Sequence, residues 1–291
     1  VSVEVVPDLP VGLRRQGVTG RVLRRPAGAV GAALLVLLAL AALAQSLGLL
    51  AFDPAVQDPP SRLQGPSAVH WFGTDQFGRD LLARVLSAVA NSLRVAVVAV
   101  LISAVVGTAL GLLAGYFGRG SDLAISGVTN VLFAFPPMLL ALALTSVLAR
   151  NWFTVAVAIA VVYVPIFVRT TRGATLSVRQ VDFVRAAVST GQHPLATVVR
   201  HVLPNVAGHV VVVVALALSW AVLTEAALSF LGLGTPPPAA SLGSLILDAR
   251  TTVFVAWWTM LFPGVLVVLL VIAFNLLGDA LRDALDPRGR R

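Results

Sequence analysis

Six stretches of this chain hold no Asp, Glu, Lys or Arg: 29–52, 95–117, 123–149, 151–168, 206–224 and 251–278. A bilayer's hydrocarbon core is crossed by about 20 apolar residues in helical form, so each stretch is long enough, or nearly so, to span one. Backbone groups in lipid must be satisfied within the segment, which makes the spans helices. Composition agrees, with 58% hydrophobic and 12% charged residues, where soluble domains run near a quarter charged. The expected fold class is an all-α membrane protein with six transmembrane helices.

One further uncharged stretch, 226–247, contains Pro236-Pro237-Pro238. Each proline removes a backbone donor, so a lipid-facing helix cannot absorb the run. It reads as an external loop, partly re-entrant where protein covers it. The first apolar run also resembles a signal peptide, with arginines before it and Ala42-Leu43-Ala44 within it. It continues to Phe52, which favours an uncleaved anchor.

The chain carries 21 Lys+Arg against 13 Asp+Glu, and every basic residue is arginine. With the N-terminus inside, the inner pieces are 1–28, 118–122, 169–205 and 279–291, and they hold fifteen of the 21. The N- and C-termini are therefore expected in the cytoplasm by the positive-inside rule. The same asymmetry accounts for the high pI without nucleic acid as a partner. The expected organisation is a cytoplasmic tail (1–28), a first transmembrane anchor (29–52), an external segment (53–94), a five-helix core (95–278) containing an inner loop (169–205), and a cytoplasmic tail (279–291).

Residue types missing from the chain exclude several chemistries. Without Lys there is no conventional phosphate-binding P-loop and no Schiff base. Without Cys there is no disulfide, thiol redox site or Cys-ligated metal. The histidines, His70, His193, His201 and His209, show no ligand spacing, so no metal site is expected. The span interiors lack ionisable carboxylates and paired broken repeats, which disfavours an ion-coupled carrier. Nor do they hold a catalytic grouping, so an enzyme is not expected.

Ser103, Gly107, Gly111 and Gly115 recur every four residues and mark a close helix contact. Glu225 stands at the outer end of its span, where a structural hydrogen bond to a neighbouring helix is the favoured role over a proton relay or substrate ligand. Asn130 and Asn275 are either interhelical glue or path-lining groups.

The inner loop runs RTTRGATLSVRQVDFVRAAVSTGQHPLATVVRHVLPN. Val181, Val184 and Val188 share one face of a short amphipathic helix, Gly191 suits its stop, and His193-Pro194 fits a turn into a second helix. Such a unit is either a docking element for a soluble partner or a plain connector.

This loop resembles the EAA loop of ABC importer permeases: E-A-A, three residues, Gly, nine residues, then I-x-L-P. Ala186, Ala187, Gly191, Leu203 and Pro204 fall in register, while Arg185 stands where Glu is usual and His201 where Ile is usual. HWFGTDQFGRDLLARVL (70–86), EAALSFLGLGTPPP (225–238) and the C-terminal span and tail (257–288) are similar to the dipeptide/oligopeptide branch, specifically its second permease, the DppC/OppC type. The resemblance implies a type I importer permease in the bacterial cytoplasmic membrane. It would pair with a homologous permease, two ABC ATPase subunits and an extracytoplasmic peptide-binding protein. ATP and Mg would be held on the ATPases, with no cofactor on this chain. It also implies that Arg185, Ala186, Ala187, Gly191, His201, Leu203 and Pro204 couple the helices to ATP binding during alternating access. The branch also contains importers of nickel, glutathione and glycosides.

Overall fold

The computed structural model describes residues 18–285, so the parts of the two tails at 1–17 and 286–291, including Arg14, Arg15, Arg288, Arg290 and Arg291, lie outside the described residues. The helices run in order: α1 (Val18–Leu23), α2 (Pro26–Ser46), α3 (Leu81–Phe117), α4 (Arg119–Ala134), α5 (Pro137–Val147), α6 (Trp152–Val178), α7 (Asp182–Ser189), α8 (Pro194–Thr197), α9 (Leu203–Phe230), α10 (Leu242–Ala249) and α11 (Trp258–Leu285). A single π turn, Val198–Val202, joins α8 to α9.

Among the described residues five helical stretches are long and apolar enough to cross a membrane; a sixth exists only if α4 and α5 are one broken span. The span expected at 123–149 is two helices that meet at 93°, so a sixth crossing holds only as a broken span. Pro136 and Pro137 are the cause. Phe135, before the first of them, is forced out of helical geometry into an extended backbone, and Pro137 then starts α5 at a position where its missing N–H costs nothing.

Other boundaries move as well. Helix α3 begins at Leu81, well before the apolar run, so residues 81–94 of the segment expected to be external are helical. Asp80 sets that start by accepting the Ala83 N–H at 2.8 Å. The inclusion of Arg94 is accommodated by stacking its guanidinium 4.0 Å over the Trp152 ring. The stretch 226–247 is not all loop. Helix α9 continues to Phe230, and α10 starts at Leu242 behind a reciprocal Ser241–Ser244 capping box. Helix α11 continues past 278 to Leu285, and Arg25 pairs with Asp283, so the two ends of the described chain meet on one side.

The core is built on α3. Its small-residue stripe faces α6, and methyl groups added at Gly107, Gly111 and Gly115 would stand 2.4, 2.6 and 2.7 Å from Cβ atoms of Phe167, Thr171 and Thr175. Ser103 closes the same seam with a bond to the Ala160 carbonyl at 3.1 Å. Helix α9 packs on α3 and α6, α11 on α9 and α2, and α10 is wedged among α3, α9 and α11.

Gly73–Asp80 is folded into a tight cap over the starts of α3 and α11. Asp75 accepts the N–H groups of Phe77 and Arg79 and the Arg79 Nε, at 2.8, 3.1 and 2.7 Å. Trp258 of α11 donates to the Thr74 carbonyl at 3.1 Å, and Phe72 stacks on Phe262. In GTDQFGRD, then, the two aspartates organise turns and a helix start.

Candidate functional site

Helix α7 is held to the body by one side chain. Val184 is buried with Leu112, Val198, Val202 and Val206. Val181 and Val188, expected on the same apolar face, are instead 44% and 53% exposed, as is Phe183 at 45%. The eight-residue helix thus buries one position of its apolar face. Arg185 and Ala186 are exposed and Ala187 is half-buried.

The stop after α7 needs its glycine. Gly191 has φ +78°, a left-handed backbone that costs a Cβ-bearing residue about 1 kcal/mol or more. Its N–H bonds the Val188 carbonyl and the Gln192 N–H bonds Ala187, which satisfies two free carbonyls at the helix end in a Schellman motif. Gln192 then reaches His201, Oε1 to Nε2, at 3.1 Å, tying the stop to the next helix. The Phe183 and His201 rings lie 6.3 Å apart.

Pro204 explains the π turn. It lacks the N–H that would bond Arg200 in a regular helix, and the Leu203 N–H bonds Val198, five residues back. Leu203 is half-buried and Pro204 exposed. The structure thus brings Ala187, Gly191, Gln192 and His201 into one turn. Arg185 and Ala186 lie on its open face, and Leu203 and Pro204 at the base of α9. Beside α7, Tyr116, Arg179, Gln180, Val184, Arg185 and Val188 line an open groove of about 720 Å³. Arg179 anchors that groove through a 2.9 Å bond to the Gly115 carbonyl at the end of α3.

The three polar span residues fall in different places. Glu225 is fully buried and accepts hydrogen bonds from Ser92 of α3 and Ser229, both at 2.7 Å. Ser92 Oγ in turn accepts the Leu242 N–H at 3.3 Å, so one carboxyl links α3, α9 and the start of α10. Asn130 accepts a long 3.4 Å bond from Arg169 in a polar cleft of about 270 Å³ between α4 and α6. Next to it Arg172 grips Asp122 with two bonds of 2.6 and 2.7 Å. Asn275 is half-buried on α11 and makes no side-chain hydrogen bond among the described residues.

Sequence reasoning missed a second constellation, in which Arg79, Arg84, Arg150 and Asp248 line a cleft of about 450 Å³ with the Gly232–Pro238 turn. Its four charged members come from three separate segments, and their one legible signal is Arg84 following GTDQFGRD by a single helical turn. Half-burial pushes the Asp248 carboxyl above the ordinary carboxylate range, against the pull of Arg84 and Arg79. Among the described residues no group of three metal-ligating side chains is present.

Comparison with known proteins places this architecture. A dipeptide transport system permease protein, DppC, from Alkalihalophilus pseudofirmus is 44% identical over 80% of this chain and 77% of its own length. A glutathione transport system permease protein, GsiD, from Pectobacterium atrosepticum is 40% identical over 89% of this chain and 87% of its own. Among solved structures, an inward-facing form of the MetNI methionine ABC transporter aligns with a TM-score of 0.57 and 22% identity, over 71% of this chain and 96% of that one. The family model for binding-protein-dependent transport system inner membrane components matches residues 107–291, well over half the chain. The chain therefore belongs to that family, as a multi-pass, membrane-embedded permease subunit of an ABC importer.

Proposed function

We propose that this subunit forms the translocation path of an ATP-driven importer of short peptides, together with a homologous permease, and that α7 docks on an ATPase subunit. The observation that carries the coupling role is the construction of α7. A single valine anchors it, while Phe183, Arg185, Ala186 and Val188 are left exposed beside an open groove. Ala186 and Ala187 permit close approach of a partner surface, and the Gly191 stop sets the angle between α7 and the helix that follows. Arg185, at the position where the resemblance leads one to expect an acid, calls for a partner surface that offers a carboxylate or backbone carbonyls. Arg179 lines the same groove as Arg185, on the side taken as cytoplasmic.

The peptide reading rests on what the relatives transport by name, dipeptides and glutathione, the latter itself a tripeptide. Discrimination would lie largely in a separate binding protein. Uptake of a labelled mixture of short peptides, in cells with and without this subunit and with ATP depleted in a parallel arm, tests both parts. Loss of uptake in both comparisons is expected. Uptake unchanged by removing the subunit refutes the peptide cargo, and uptake that survives ATP depletion refutes the energy source. Nickel or another small solute then becomes the cargo to test.

A further inference from the structure

The cleft at the end of α3 and α9 opposite the α7 loop holds a buried arginine that is paired by charge with Asp75 and Asp248 but hydrogen-bonded to neither. Arg84 is 6% exposed, yet its side chain makes no hydrogen bond. Its Nε forms an ion pair with Asp75 Oδ2 at 3.3 Å that does not meet hydrogen-bond geometry, while the same oxygen accepts the Arg79 Nε at 2.7 Å. Its Nη2 stands 4.0 Å from Asp248, beyond hydrogen-bond reach. A guanidinium carries five N–H donors in a planar fork that matches a carboxylate, and Arg172 shows that fork satisfied by Asp122 elsewhere in this molecule. In the cleft neither Asp75 nor Asp248 meets the Arg84 fork in that two-bond way.

The surroundings fit a small anionic solute. Arg79 and Arg150 also line the cleft, and Arg150 is held in place by the Gly232 carbonyl. Three arginines face two aspartates, Asp75 and Asp248, leaving a net positive charge. The volume of about 450 Å³ lies in the range of small-molecule sites rather than of flat protein contacts.

We propose that this cleft is a carboxylate-binding site for the transported solute, in which Arg84 and Arg150 receive the carboxylate. That the carboxylate is a peptide's C-terminus rests on the function proposed above; the anion chemistry does not.

The test uses the intact complex in nanodiscs, with its partner subunits and without a binding protein. Ligand-observed NMR measures affinity for glycylglycine, glycylglycinamide and acetate. The acid is expected to bind at least about tenfold more tightly than the amide, as charge-assisted bonds require, with acetate competing. Arg84→Lys keeps the charge but loses the fork, and Arg150→Gln loses the charge; each is expected to bring the acid down to the amide's affinity while leaving the amide unchanged. If Arg84→Lys does not assemble, Arg150→Gln decides alone. Equal binding of acid and amide by the unmodified complex, or equal weakening of both by the variants, overturns the proposal. Acetate binding lost in both variants, in a system that imports no peptide, would sink the peptide reading and leave the site standing.

Discussion

Gly111→Ala is a measurement of how closely α3 and α6 approach. The added methyl would lie 2.6 Å from Thr171 Cβ and 2.7 Å from the Val168 carbonyl oxygen. Carbon contacts are comfortable at about 3.5–4.0 Å, so the seam must open by roughly 1 Å or bend. Overpacking of this kind costs about 1–3 kcal/mol, while alanine's higher helix propensity returns up to about 1 kcal/mol. Gly127→Ala, on α4 with nothing within 4 Å, isolates the propensity gain. The difference between the two variants is then the steric cost alone, about 1–3 kcal/mol. Unfolding of the detergent-solubilised chain by SDS, followed by helical circular dichroism, reads that difference. Matching midpoints for the two variants would show that the helices are not in contact at Gly111. A triple Gly107, Gly111 and Gly115 substitution is expected to cost less than the sum of the single changes, because one displacement of α6 relieves all three.

Glu225→Ala leaves the Ser92 and Ser229 hydroxyls without their acceptor and opens a cavity, costing about 2–5 kcal/mol. Glu225→Gln keeps one acceptor oxygen and should cost less than half as much in the same assay. Gly191→Pro, or Ala187→Trp, should abolish uptake while leaving the subunit inserted in the membrane; normal uptake by either would end the docking role of α7. Because the chain has no cysteine, single cysteines at Ala187 and Ala239 should react with impermeant maleimides from opposite sides of the membrane, the former from inside. Same-side labelling would overturn the orientation. Asp248→Asn should stabilise the chain at pH 7, since the folded state raises that carboxyl's pKa. The advantage should shrink as pH falls through that raised value and close below about 4, where the native aspartic acid is protonated in both states.

The parts of the fold legible in the sequence were those governed by local rules. Hydropathy located the long spans, the spacing of Ser103, Gly107, Gly111 and Gly115 marked the α3–α6 seam, and Gly191 marked the end of α7. Helix ends were misplaced wherever a tertiary partner decided them. The apolar run begins at Val95, but α3 begins at Leu81, because Asp80 caps it and Trp152, distant in sequence, accommodates Arg94. Reading 226–247 as loop overweighted the three prolines and overlooked the Ser241–Ser244 capping box just beyond them. Val181 and Val188 failed to bury because periodicity names the apolar face of a helix but not the size of the surface that receives it. The Arg84 cleft was illegible for a related reason. Its charged residues come together only when the start of α3, the α5–α6 connection and α10 have assembled, and no spacing within the sequence encodes that meeting.

The helical column from Pro194 to Phe230 has a mechanical consequence. At 1.5 Å per residue it is a rod of about 55 Å, incompressible along its axis on the scale of thermal forces. Its lower end is tied to α7 through Gln192 and His201, and its upper end is pinned to α3 and α10 through Glu225. The chain then turns at Gly232 directly into the arginine-lined cleft. The tie to α7 is made at His201, inside the π turn at Val198–Val202, so the one irregular stretch of the rod is also the place where the α7 loop grips it.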